Sequence, residues 1–125
     1  MILDTNAVSD LVAGNAELLR HLRSSRDHSL PTIVLGEYRY GLARSRLRSE
    51  LQTWLARLER EMEILEVNSA TAQSYASVKE ELRVLGRPIP ENDIWIAALA
   101  RQHGLALLSR DTHFDFVAGL VRIGW

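Results

Sequence analysis

Cysteine is absent from the sequence, which excludes a disulfide framework, a thiolate zinc site and a cysteine nucleophile. Lysine is nearly absent: Lys79 stands alone among fifteen basic residues, and the others are arginine. Arginine suits bidentate contacts to phosphate and carboxylate, but a GC-rich genome produces the same bias, and we read it as genomic. Neither sign of charge dominates. Sixteen acids against fifteen bases exclude a strongly basic nucleic-acid binder and an acidic tail. The longest apolar run, Ile94 to Ala100, falls far short of the roughly 20 residues that span a bilayer, so no membrane partner is expected. The first residues carry neither the basic region nor the long apolar region of a secretory signal. A cytoplasmic protein is expected.

What remains is an ordinary core-forming composition: 125 residues, 46% of them apolar, enough for one domain spanning 1–125. No repeat, low-complexity segment or linker divides the chain. "ILD" at the start reads as a short buried strand. A helix capped by Asn15 is predicted to reach Arg26, and His28 to Pro31 is a strand candidate. "PTIVLGEYRYGLARS" predicts a helix from Ile33 to Arg44 with Thr32 as its N-cap. Leu51, Trp54, Leu55, Leu58 and Met62 fall at helical spacing, and "EILEV" then returns to a strand pattern. Asn68 or Ser69 opens the next helix, which Gly86 closes, with Tyr75, Val78, Leu82 and Leu85 facing inward. Pro88 and Pro90 precede a helix to His103, with Gly104 beyond it. This last helix is apolar nearly all round, so burial on more than one side is expected. "LALLS" and "LVRIGW" complete a series of short strands alternating with helices. The pattern predicts an α/β sandwich with a mainly parallel sheet.

Ligands of such sheets bind beyond the carboxyl ends of the strands. Asp4 ends the first strand, and Asp111 follows "LALLS". Asp93 lies in the first turn of the apolar helix, and Glu37 sits among apolar residues of an earlier one. Each acid alone also fits an ordinary role: Asp93 complements a helix dipole, Asp4 and Asp111 are common loop or capping acids, and Glu37 suits a helix surface. Together they differ. Four carboxylates converging without a basic partner repel one another and raise their own pKa values. A divalent cation is the simplest compensation, and oxygen-only ligands select Mg²⁺ or Mn²⁺ over zinc. Such sites activate water and neutralise charge in phosphoryl chemistry. No spacing links His21, His28, His103 or His113 to the acids, so all four are read as structural or surface residues.

"ILDTN", "LGE", "ENDIWIAALA" and "LLSRDTHFDFVAGL" resemble, in order and spacing, the four acidic blocks of PIN-domain ribonucleases, in particular the VapC-type toxins of toxin–antitoxin systems. The resemblance runs from Ile2 to the final "VRIGW". It implies a three-layer α/β/α sandwich and Mg²⁺- or Mn²⁺-dependent cleavage of RNA. It also implies a homodimer and inhibition by a cognate antitoxin. By resemblance, Asp4, Glu37, Asp93 and Asp111 are the acidic quartet, with Asp4, Asp93 and Asp111 on the metal. Asn6 orients a carboxylate beside Thr5, Ser109 supports the fourth acid, and Asp115 is either a further acid near the metal or a cap. Arg39, Arg44, Arg46 and Arg48 either contact RNA, with Tyr38 or Tyr40 for stacking, or complement a helix C-terminus. Leu11, Val12, Leu18 and Leu22 suit both antitoxin docking and core packing.

Two other classes place acids at strand ends. A phosphate-handling signalling domain requires a lysine after a late strand, but Lys79 falls within a predicted helix. A haloacid-dehalogenase-type phosphatase requires an aspartate two residues after the first, where Asn6 stands. A non-catalytic PIN-like binding module, with the acids as helix caps, predicts no response of stability to metal.

Overall fold

The computed structural model describes residues 1–125. In chain order it contains β1 (Ile2–Leu3), α1 (Thr5–Val12), α2 (Ala16–Arg23), β2 (Ser29–Pro31), α3 (Thr32–Leu42) and α4 (Arg48–Glu61). These are followed by β3 (Glu63–Leu65), α5 (Ser69–Leu85), α6 (Glu91–His103), β4 (Leu107–Leu108), a 3₁₀ turn (Thr112–Phe116) and β5 (Arg122–Ile123). The strands form one wholly parallel sheet in the order β3-β2-β1-β4-β5. The first strand in sequence is therefore the central strand in space. Chain segments before β4 build outward on one side of β1, and those after it build on the other. Right-handed crossovers running in opposite directions place helices on opposite faces, which gives the three-layer α/β/α sandwich.

Strands of two or three residues suffice at the centre of the sheet because every residue of β1, β2 and β4 is buried, with Ile2, Leu3, Leu30, Leu107 and Leu108 sealed from solvent. This is the uninterrupted apolar pattern of a sheet covered on both faces. Pro90 caps α6, and Gly104 ends it in the left-handed region at φ 63°, a conformation that costs a Cβ-bearing residue energy. Ile94, Ile96 and Ala97 to Ala100 are all buried, so α6 is enclosed on several sides as its composition predicted.

Most predicted elements are present, with shifts that have local causes. The helix capped by Asn15 stops at Arg23, three residues early, where the Ser24 hydroxyl turns back to the His21 carbonyl at 2.6 Å. Thr32 is the first helical residue of α3, not its cap. Pro31 occupies the cap position, and the Thr32 hydroxyl donates to the Leu65 carbonyl at 2.9 Å. Asn68 and Thr71 form a reciprocal capping box at the start of α5. At the other end of α5, Leu82 is buried but Leu85 is 60% exposed, contrary to the predicted inner face. Leu85 rims a cleft shared with Val84, Phe116 and Ala118. We therefore expect Leu82→Ala to cost about 2–5 kcal/mol, but Leu85→Ala to change stability by about 0.5 kcal/mol or less. Urea unfolding of the two variants checks this.

Candidate active site

The reversal of strand order between β1 and β4 opens a crevice at their carboxyl ends, and the sequence places an acid at each. The Asp4 backbone N–H donates to the Leu108 carbonyl at 3.1 Å, so the end of β1 is pinned beside β4. Asp4 is almost completely buried. Its Oδ1 accepts from the Thr5 backbone N–H at 2.7 Å, and its Oδ2 accepts from the Ser109 hydroxyl at 2.6 Å and from Asn6 Nδ2 at 2.9 Å. Asp4 does begin α1, but its side chain serves only the first N–H of that helix.

Asn6 joins the two strand-end acids. Its Nδ2 also donates to Asp111 Oδ2 at 2.9 Å and lies 3.3 Å from the Ser109 hydroxyl. Its Oδ1 accepts from the Arg110 backbone N–H at 3.2 Å. That contact fixes the orientation of the amide, with its oxygen toward a donor and its nitrogen toward carboxylates. Ser109, fully buried, accepts the Asp111 backbone N–H at 3.0 Å while donating to Asp4. Glu37, from α3, is held by the Thr5 hydroxyl and by Asn92 Nδ2, the latter at 2.8 Å. Asp93, beside Asn92 in the first turn of α6, lies 2.9 Å from Nε2 of His113. That nitrogen is buried and not aligned for a hydrogen bond.

Burial raises the Asp4 pKa above the ordinary aspartate value. Repulsion from Asp111 and Glu37 adds to this, while Ser109 and the Thr5 N–H oppose it. Asp93 is pushed up to about 6, first by burial and then by Asp4, with Glu37 and Asp111 contributing and His113 pulling the other way. The four acids thus share one electrostatic field. No three His, Asp or Glu side chains close around a single point; the spaces between the acids are filled by neutral amides and hydroxyls.

Four acids and their three predicted supports therefore meet in one place. Asp115 does not join them. Arg122 grips it with Nε at 2.8 Å and Nη2 at 3.1 Å, and this pairing lowers its pKa. Reading the histidines as unconnected to the acids fails for His113, whose only sequence signal is its position two residues after Asp111. Asn92 was visible only as a neighbour of Asp93. Tyr38 is buried against Trp54, with ring centroids 6.1 Å apart, and is unavailable for stacking. Tyr40 is exposed, and Arg39 pairs with Glu59. The largest cleft, about 610 Å³ between α5 and the start of α6, is lined by Tyr75, Lys79, Leu82 and Ile89 among others, and by none of the four acids.

The family model described as the PIN domain matches residues 1–120. Ribonuclease VapC2 of Haemophilus influenzae is 32% identical, with the match covering 99% of this chain and 96% of that protein. Among solved structures, FitAcB from Neisseria gonorrhoeae matches with TM-score 0.82 and 29% identity over 98% of this chain and 95% of its own. VapBC2 from Rickettsia felis, bound to a DNA fragment of its promoter, matches with TM-score 0.89 and 23% identity over 99% and 97% of the two chains.

The raised pKa of Asp93 sets a pH dependence. Its folded value, about 6, exceeds the ordinary 3.8, so the folded state holds the proton more tightly. The stability this contributes is complete below about pH 4 and is lost as pH rises through about 6. In the absence of divalent ions, Asp93→Asn should gain Tm relative to the parent protein by a few degrees between pH 4 and 7. A parallel pair of melting curves across that range would contradict the assignment.

Proposed function

The chain belongs to the PIN-domain family, and from that premise we propose that its 125 residues act as one metal-dependent endoribonuclease domain, the toxin of a toxin–antitoxin pair. The observation that carries the reading is the convergence of Asp4, Glu37, Asp93 and Asp111 with no lysine or arginine paired to any of them, two of them with raised pKa values. The donor set fits a hard divalent cation. It is oxygen only, and Asp4 retains acceptor capacity, since three hydrogen bonds leave one of a carboxylate's roughly four positions free.

In this reading Asp4, Asp93 and Asp111 would hold Mg²⁺ or Mn²⁺, their side chains turning toward the ion from positions in which no three share a common point, with Glu37 completing the quartet. Such a cation, when bound, lowers the pKa of water and neutralises charge on a phosphodiester and its leaving oxygen. The side chains supply the rest. Asn6 bonds both Asp4 and Asp111 and so limits the orientations open to either carboxylate. Thr5 and Asn92 do the same for Glu37. His113 lies against Asp93 Oδ2 and limits where that carboxylate can move.

RNA is the proposed substrate because relatives of this chain, VapC2 of Haemophilus influenzae among them, are named ribonucleases. The likeness to Toxin FitB and FitAcB of Neisseria gonorrhoeae supports a cognate antitoxin as partner, and the domain is proposed to act as a homodimer. No helix is long and apolar enough to cross a membrane, in keeping with a toxin acting in the cytoplasm. The signalling alternative gains nothing: Lys79 Nζ is 2.7 Å from Glu91 Oε1 and belongs to that pair.

Asp4→Asn and Asp93→Asn should each lower kcat/KM for RNA cleavage in Mg²⁺ by at least about a hundredfold while the fold persists. Mn²⁺ at 100 times its Kd should stabilise the parent protein by about 2.7 kcal/mol, seen as a rise in Tm, and should move Asp4→Asn far less. Full activity in either variant, or equal Mn²⁺ shifts, would overturn the site.

A further inference from the structure

One constellation beside the acids makes no side-chain hydrogen bond to any of them. Asp10 lies on α1 four residues beyond Asn6, on the same helix face and about 6 Å further along the axis. Its two carboxylate oxygens reach two remote parts of the chain. Oδ1 lies 3.3 Å from Nη2 of Arg110, and Oδ2 accepts from the indole N–H of Trp125 at 2.9 Å. The Arg110 guanidinium carbon in turn lies 5.5 Å from the centre of the Trp125 ring, within cation–π range.

Arg110 and Trp125 lie beyond carboxyl ends of strands, and Asp10 reaches both from α1. Arg110 follows β4 and immediately precedes Asp111, and its own N–H fixes Asn6. Trp125 follows β5, and its ring packs against the main core. Asp10 is largely shielded, whereas the Arg110 side chain remains 52% exposed. The assembly is therefore an indole packed on the core beside a guanidinium that a carboxylate holds in place, on an arginine side chain about half open to solvent.

The chemistry favours one class of contact. A phosphate approaching Arg110 meets the Asp10 carboxylate at the same guanidinium and is repelled by it. A nucleobase carries no such charge, and the plane of an arginine is a surface on which unpaired bases stack. We propose that Arg110, laid on Trp125 and held by Asp10, is a stacking platform for one unpaired base of the RNA, roughly one or two nucleotides from the bond presented to the acids. Arg110 is then a specificity-determining residue, and Asp10 and Trp125 position it. The proposal rests on the ribonuclease reading above.

The test is a set of single-stranded oligoribonucleotides containing a mapped cleavage site, each with one abasic nucleotide at a different position. Cleavage kinetics in Mg²⁺ are measured for the parent protein, Arg110→Ala and Arg110→Lys, with melting curves to confirm that all three are folded. In the parent protein, one abasic position near the cut should raise KM by about ten-fold. Arg110→Ala should raise KM on the intact oligonucleotide by a similar factor and abolish the response at that position. Arg110→Lys, which keeps the charge but loses the plane, should behave like Arg110→Ala. Cleavage with the abasic response unchanged in Arg110→Ala overturns the platform and leaves the ribonuclease reading standing. So does full recovery in Arg110→Lys, which would make the contact a phosphate one. If the parent protein cleaves no RNA in either metal, the ribonuclease reading falls and the platform with it.

Discussion

A carboxylate buried at the end of the central strand is the constraint on which the site depends. An ionised Asp4 has almost no contact with water, and losing that hydration costs several kcal/mol unless something replaces it. The fold replaces it with three dipoles from Thr5, Asn6 and Ser109. None of them carries a countercharge, so a deficit remains, and it shows as the raised pKa. The identities of the supporting residues follow from this. Ser109 must be small enough to be fully buried yet carry both a donor and an acceptor. Asn6 must be an amide, because its nitrogen serves two carboxylates while its oxygen takes the Arg110 N–H. An aspartate at that position would turn two attractions into repulsions.

Topology determines which acids meet. The sheet order puts β1 next to β4 although more than a hundred residues separate them, so Asp4 and Asp111 leave adjacent strand ends. Both strands are only two residues long, so Asp4 follows directly on the core and Asp111 comes three residues after β4. The enclosed helix α6 brings its first turn to the same edge, with Asn92 reaching Glu37 and Asp93 reaching His113. Rigidity and charge repulsion are therefore set by the same packing. The core that stabilises the fold also holds the acids closer than they would settle in solution.

The legible part of the site was the part encoded locally. An apolar triplet ending in aspartate, a proline-punctuated apolar helix with an acid in its first turn, and "LLSRD" each carry their own signal. Glu37 was legible only through the apolar residues around it, since its partners Thr5 and Asn92 are 32 and 55 residues away. The Asp10–Trp125 contact spans 115 positions and leaves no periodic trace. His113 is similar: its approach to Asp93 depends on how the 3₁₀ turn after Asp111 folds back, and no spacing rule describes that. Leu85 marks the converse failure. Helical periodicity assigns a face to it, but whether that face meets α6 or an open cleft is decided by neighbours that periodicity does not see.

The arginine bias, read from composition as a genomic accident, has structural consequences where a guanidinium uses its whole fork. Arg122 donates from Nε and Nη2 to Asp115 and from Nη1 to the Ser109 carbonyl at 3.0 Å. A lysine has the charge but cannot span three acceptors in one plane. A Cβ at position 124 would stand 2.9 Å from Nη1, so Gly124 leaves room for this arrangement. Asp115 thus affects the site from outside it. It aligns Arg122, Arg122 pins the Ser109 peptide, and the Ser109 hydroxyl holds Asp4. An acid that sequence order offered as either a metal neighbour or a cap is, in space, the outermost member of a chain of contacts ending on the buried carboxylate.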